Sequence, residues 1–199
     1  DPATDDSPYS TMSFPKNLHI FRDRERIDIP ELNTTVYGVG FRSAVMNESP
    51  VTGWSNLDPS RINILVTHGD ASSPSSPCGP ITEQGLASSG FDYVALGHIH
   101  KPQQVGTLPA YYAGSIYPKD FGETHKAGFN LVQIEGAKIA ASVERVEFPH
   151  PQNMKIESGA ECKINGEEIK GKRVWLEITC TKEERVMMNE DTILADLLA

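Results

Sequence analysis

The sequence predicts an α/β domain followed by a small α+β module, and three observations carry that prediction. Residues 61–69 (RINILVTHG) and 91–96 (FDYVAL) are continuous apolar runs, the pattern of strands buried on both faces. A helical stretch lies between them, which gives the order strand, helix, strand of a right-handed crossover in a parallel sheet. Further on, Pro149-His150-Pro151-Gln152-Asn153 places two prolines where they break both regular structures, so a boundary is expected at about residue 148, giving parts 1–148 and 149–199.

The elements follow in order. Residues 1–17 are polar and carry Pro2, Pro8 and Pro15, a loop with one short helix around residues 9–13. Residues 17–21, 26–29 and 34–41 are rich in β-branched, aromatic or alternating residues and read as a three-strand meander. Pro50, Gly53, Asn56, Asp58 and Pro59 make residues 42–60 a long irregular loop. Gly79-Pro80 is expected to open a helix through Ser89, with Gly90 as its stop. A short strand entering a turn over 111–115 and a hairpin over 128–148, turning at Glu135-Gly136-Ala137-Lys138, complete the first part. After the boundary, Val174, Leu176 and Ile178 alternate in a strand over 172–181, and Asn189 caps a helix from Glu190 onward.

Composition narrows the function. With 38% hydrophobic and 23% charged residues, 16 Gly and 14 Pro among 199, the chain is neither collagenous nor disordered. No apolar run approaches the ~20 residues of a spanning helix, and residues 1–6 lack the order of a signal peptide, so a cytoplasmic protein is expected. The net charge of −9 argues against coating nucleic acid by general phosphate attraction. Cys78, Cys162 and Cys180 are odd in number and far apart, which signals neither a disulfide framework nor a thiolate zinc site.

The chemistry-bearing residues are His68, His98 and His100. The crossover brings the carboxyl ends of its two strands to one sheet edge, where α/β folds place their sites, so His68 and His98 should be neighbours. His98 and His100 have the i, i+2 spacing that points two side chains the same way on extended backbone. Three imidazoles at one edge suggest a borderline divalent cation, with carboxylate ligands coming from elsewhere. Gly69 and Gly97 flank the histidines and permit unusual backbone angles or close approach. Asp70 is a candidate partner for a ligand histidine. His19, His125 and His150 are expected at the surface, Ser115 in a turn, and Lys101, Lys119 and Lys126 either meet phosphate or are solvated.

Val66-Thr67-His68-Gly69, Gly97-His98-Ile99-His100 and Tyr112-Ala113-Gly114-Ser115 together resemble the later motifs of the calcineurin-like metallophosphoesterases. Asp120-Phe121-Gly122-Glu123, followed by Lys126-Ala127-Gly128-Phe129, is similar to the SbcD-type DNA repair exonucleases among them. The resemblance covers residues 1–148 and implies the later part of a metallophosphoesterase-type β-sandwich flanked by helices, with the start of a capping module beyond. It implies a two-metal centre, manganese in the first instance, in which His68 and His98 ligate one ion and His100 the other. Asp1 resembles the last residue of a Gly-Asn-His-Asp motif, where it would orient a catalytic histidine. The family's Asp-x-His, Gly-Asp and Gly-Asn-His-Asp motifs are not complete in these 199 residues. The chain is therefore expected to be a C-terminal portion, inactive alone, of a hydrolase acting on DNA beside an SMC-like ATPase subunit, with a homodimer an open alternative. Two other readings remain: a small-molecule or protein phosphatase of the same superfamily, and a non-catalytic binding module with structural histidines.

Overall fold

The computed structural model describes residues 4–136, 141–161 and 164–198. Spatial contacts divide the chain into two compact units, Asp1–Gly114 with Phe129–Val146, and Ser115–Gly128 with Glu147–Ala199. The fold is mixed α/β, as the sequence predicts.

In the first unit a short helix α1 (Pro8–Thr11) precedes β1 (Arg24–Ile29), a 3-10 turn (Pro30–Leu32), β2 (Thr34–Val39), β3 (Ile62–His68), α2 (Glu83–Ser88), β4 (Tyr93–Gly97), β5 (Gln103–Gln104) and β6 (Ala110–Tyr112). The strands form one sheet in the order β1-β2-β3-β4-β6-β5. β2, β3, β4 and β6 are parallel, and the outer strands β1 and β5 pair antiparallel. Asn33, left-handed at φ 48°, turns the chain between β1 and β2, a conformation asparagine tolerates better than most residues. β7 (Gly128–Gln133) and β8 (Ser142–Glu147) pair as a separate two-stranded sheet, as expected, while residues 137–140 of their turn lie outside the described residues.

Register places Tyr37 beside Leu65, Leu65 beside Val94, Val94 beside Ala110, and Leu96 beside Tyr112, all on one sheet face. These residues form the core with Ile81, Leu86 and Phe91. The opposite face is only partly covered, and Val66 stays 42% exposed. β3 is thus buried on one face, not both. On that second face Tyr93 and Tyr111 stack at 5.9 Å, and Tyr93 shares a hydrogen bond with Asn130 of β7.

Two local expectations are corrected. Residues 17–21 are irregular rather than a strand, because the segment lies across β2: a Cβ on Gly38 would fall 2.1 Å from the Phe21 ring, which fills the place of a side chain there. The helix expected from Gly79 begins at Glu83. Asp70 N–H donates to Gly79 O and Ile81 N–H to Asp70 O, which holds residues 79–81 extended, and the Thr82 hydroxyl then accepts from Gly85 N–H as the helix cap.

The second unit contains β9 (Asn153–Gly159), α3 (Gly166–Ile169), β10 (Arg173–Thr179), α4 (Lys182–Met187) and α5 (Glu190–Leu198). β9 and β10 are parallel and α3 lies between them in sequence. The Asn189 side chain accepts from Asp191 and Thr192 N–H, capping α5 as the sequence suggests. Segment 115–128 belongs to this unit: Asn153, buried, donates to the carbonyls of Asp120 and Glu123, and the Arg173 guanidinium lies 5.0 Å from the Phe121 ring centre. No helix among the described residues is long and apolar enough to cross a membrane.

Candidate metal centre

The parallel pairing of β3 with β4 sets His68 opposite Gly97, one residue short of His98. The expected meeting follows: His68 Nε2 stands 3.1 Å from His98 Nδ1, and the two rings meet edge to face. Phe41 also packs edge-on against His68, ring centres 5.2 Å apart. Gly97 makes room for the pair, since a Cβ there would lie 3.2 Å from His68 Nδ1.

Asp70 joins them, with Oδ2 3.8 Å from His98 Nε2. Burial pushes its carboxyl up, but hydrogen bonds from the Ser72 hydroxyl and N–H and from the Ser76 hydroxyl, with the charge of His98, outweigh burial and hold it below the usual carboxylate range. The side chain is therefore a fixed carboxylate at neutral pH. Gly69 permits this turn to pack closely, because a Cβ there would meet Gly79 O and Ile81 Cδ1 at 2.7 Å.

His98 has φ 112°, a conformation rare for a residue with a β-carbon. The extended geometry that would point His98 and His100 the same way is thus broken at its first residue, and it is His98, not Gly69 or Gly97, that takes the unusual angle. His100 is half-buried, and Gly114, at φ 72°, gives its backbone room: a Cβ there would lie 2.6 Å from His100 O. Lys101 is exposed in the following turn.

An imidazole pair with a carboxylate suits a borderline divalent cation in kind. Among the described residues, however, no group of three or more His, Cys, Asp or Glu side chains is placed to hold one. His68 and His98 offer two ligands of a shell rather than a whole one. Asp1 lies outside the described residues, as does Cys162. In the second unit Lys126 pairs with Glu147 at 2.8 Å, and Lys119 is exposed. Ser115 is buried, and His125 and His150 are half-buried instead of exposed. A cavity of about 1650 Å³ in that unit, lined by Val174, Leu176, Ile178, Met187 and Leu194 among others, contains none of the predicted site residues.

The comparisons with known proteins agree with the motifs. The uncharacterized metallophosphoesterase YhaO of Bacillus subtilis is 28% identical over 153 residues, 69% of this chain and 36% of that protein. The chain is thus similar in sequence to a metallophosphoesterase over about two thirds of its length. The D component of the SbcCD nuclease is 34% identical over 101 residues in Escherichia coli K12 and 30% identical over 94 residues in Staphylococcus epidermidis, in each case 25% of that polypeptide. The chain thus spans 25–36% of the length of these relatives. No family model matches it. The Tyr112 hydroxyl meets the turn after β3, accepting from Ala71 N–H and donating to Gly69 O, a contact that the Tyr-Ala-Gly-Ser motif does not reveal in sequence.

Proposed function

We propose that this chain supplies the later ligands of a metal-dependent phosphodiesterase, a DNA exonuclease or endonuclease of the SbcD type acting in DNA repair. The contact of His68 and His98 at the carboxyl edge of a parallel sheet, with Asp70 held ionised beside them, carries the reading. Two divalent cations, manganese in the first instance, would supply an ionised water near neutral pH and neutralise phosphate charge. His68 and His98 would hold one of them and His100 the other. Asp70 orients the His98 ring, and Lys101 meets the phosphate backbone of DNA. Asp1 would orient a histidine of the longer protein.

The same proposal assigns residues 1–148 to the catalytic domain and 149–199 to the start of a capping module. It assigns an SMC-like ATPase subunit as partner and the cytoplasm as location. A homodimer of the longer protein stays an open alternative that its mass in solution decides, whereas the 199-residue chain alone is inactive.

The test is Mn²⁺-dependent cleavage of linear duplex DNA by the complete gene product and by its His98→Ala variant, with bound metal counted for each. Cleavage that His98→Ala abolishes, with its folding transition moved by no more than about 2 kcal/mol, is the expected result. Full activity in the variant sinks the ligand assignment. A product that releases phosphate from monoesters and leaves DNA intact makes the protein a phosphatase, and one that binds no metal leaves a binding module.

A further inference from the structure

The turn after β3 is tied down by a small set of hydrogen bonds. Gly69 N–H donates to Gly97 O, Asp70 N–H to Gly79 O, and Ile81 N–H to Asp70 O. Gly69 C=O and Ala71 N–H, on either side of Asp70, are both met by one side chain. The Tyr112 phenol accepts from Ala71 N–H at 2.8 Å and donates to Gly69 O at 2.8 Å. Its ring is fully buried in the core between β4 and the turn, at 0% exposure. A buried phenol holding a donor and an acceptor has no freedom to rotate its proton elsewhere.

The two groups flank Asp70, the carboxylate that faces His98, and Gly69 follows His68 directly. We propose that Tyr112 is a positioning residue for the histidine site: its hydroxyl staples Gly69 and Ala71, and so fixes Asp70 and the His68–His98 pair in one arrangement. The inference rests on the metal-site reading above for its consequence, though the staple itself can be tested without metal. Burial, which pushes the phenol up to about 12, keeps the proton that Gly69 O requires in place across the working range of pH. The strand that carries Tyr112 supplies the last parallel neighbour of β4, so the sheet delivers the staple and both histidines to the same edge.

The test compares the full chain with Tyr112→Phe, which removes one oxygen and keeps the ring. Ala71→Pro provides a second route, removing the N–H on the other side of the same contact. Asp70 precedes it in an extended bridge to Pro80, the conformation that a following proline favours. A control, Ile81→Val, trims the apolar packing beside Gly69 and leaves every hydrogen bond of the turn and the staple in place. Two readouts separate positioning from general loosening: the ring-to-ring proton contact of His68 and His98 by NMR in the metal-free chain, and the affinity and visible spectrum of Co²⁺ as the probe ion.

Loss or splitting of the ring contact in Tyr112→Phe and Ala71→Pro, but not in Ile81→Val, is expected, with Co²⁺ affinity falling tenfold to a hundredfold, about the effect of removing an outer partner of a ligand. Wild-type ring contacts and wild-type Co²⁺ spectra in both staple variants overturn the proposal while leaving the metal reading standing. Should the parent chain bind no Co²⁺, the ring contact alone decides the staple, and the metal reading is decided by the metal count of the complete gene product. If Tyr112→Phe does not fold, Ala71→Pro decides the matter by the same two signals.

Discussion

Gly97 and His98 are adjacent residues that serve the site in opposite ways. Gly97 is at the end of a strand at an ordinary backbone angle, and what matters is the missing β-carbon, which would crowd His68 Nδ1 at 3.2 Å. The neighbour is a side chain at the surface and can move by the few tenths of an ångström required. Gly97→Ala should therefore leave the unfolding free energy within about 0.5 kcal/mol of the parent. Co²⁺ affinity should nevertheless fall about tenfold, because the ring pair is displaced. Parallel urea melts and Co²⁺ titrations check this, and a large stability loss with unchanged affinity would contradict it. His98 carries strain in its backbone at φ 112°, a region that costs a residue with a side chain about 1–3 kcal/mol. Both His98→Gly and His98→Ala remove the imidazole, but only glycine relieves the angle. His98→Gly should be the more stable of the two by about 1 kcal/mol in urea denaturation, and equal stabilities would mean that the surroundings impose no strain.

At the scale of elements, the capping residues decide where helices begin. Thr82 caps α2 through its hydroxyl, and Thr82→Ala should cost about 1 kcal/mol of the first unit's stability, read by thermal or urea unfolding. The same logic gives α4 a pH dependence. The Thr181 hydroxyl accepts from Glu184 N–H, and the Glu184 carboxylate accepts from Thr181 N–H. Hydrogen bonds to its carboxylate from the Thr181 N–H, and next from the Thr181 hydroxyl, hold Glu184 below its usual range. A carboxyl depressed on folding contributes stability above its unfolded value, and loses it as pH falls through the folded value. Amide exchange in α4, corrected for intrinsic rate, should accelerate once pH drops below about 4.3, the unfolded value. Glu184→Gln should remove that pH dependence.

These elements also show what the sequence could reveal. The apolar runs of β3 and β4 were legible because a parallel strand has to bury its centre, and their pairing followed from the handedness of the crossover. The start of α2 was not, since Pro80 is equally at home at a first helical turn and in the extended stretch that pairs with Asp70. The segment at 17–21 has strand-like residues but no ladder, a choice made by Gly38 and Gly40 some twenty positions away. At the site, the histidines were visible from the strands that end at them. Tyr112 was invisible as a staple, because its partners are backbone groups whose location depends on the whole sheet.

At the scale of the whole molecule, the second unit is assembled from two stretches of sequence separated by the β7–β8 pair. Its two strands are a small sheet by any standard, and parallel pairs need support from other contacts. Asn153 supplies some of it at the junction of the stretches. It is 8% exposed, and its amide donates to the carbonyls of both Asp120 and Glu123, so that residues 115–128 are fastened to the first residue of β9. Phe121, held by this loop, packs edge-on against Trp175 and under Arg173, which gives β10 its contact with the same stretch. Removing the Asn153 amide strands the Glu123 carbonyl in a buried place and takes from the Asp120 carbonyl one of its two hydrogen bonds, at a cost of about 2 kcal/mol. Asn153→Ala should therefore speed hydrogen exchange at the β9 and β10 amides by about thirtyfold, the factor that 2 kcal/mol represents at 25 °C. Asn153→Asp keeps the size but offers the carbonyls no N–H, so it should do at least as much damage. If both variants exchange like the parent, the loop is held by its aromatic packing alone, and the next substitution to make is Phe121→Ala.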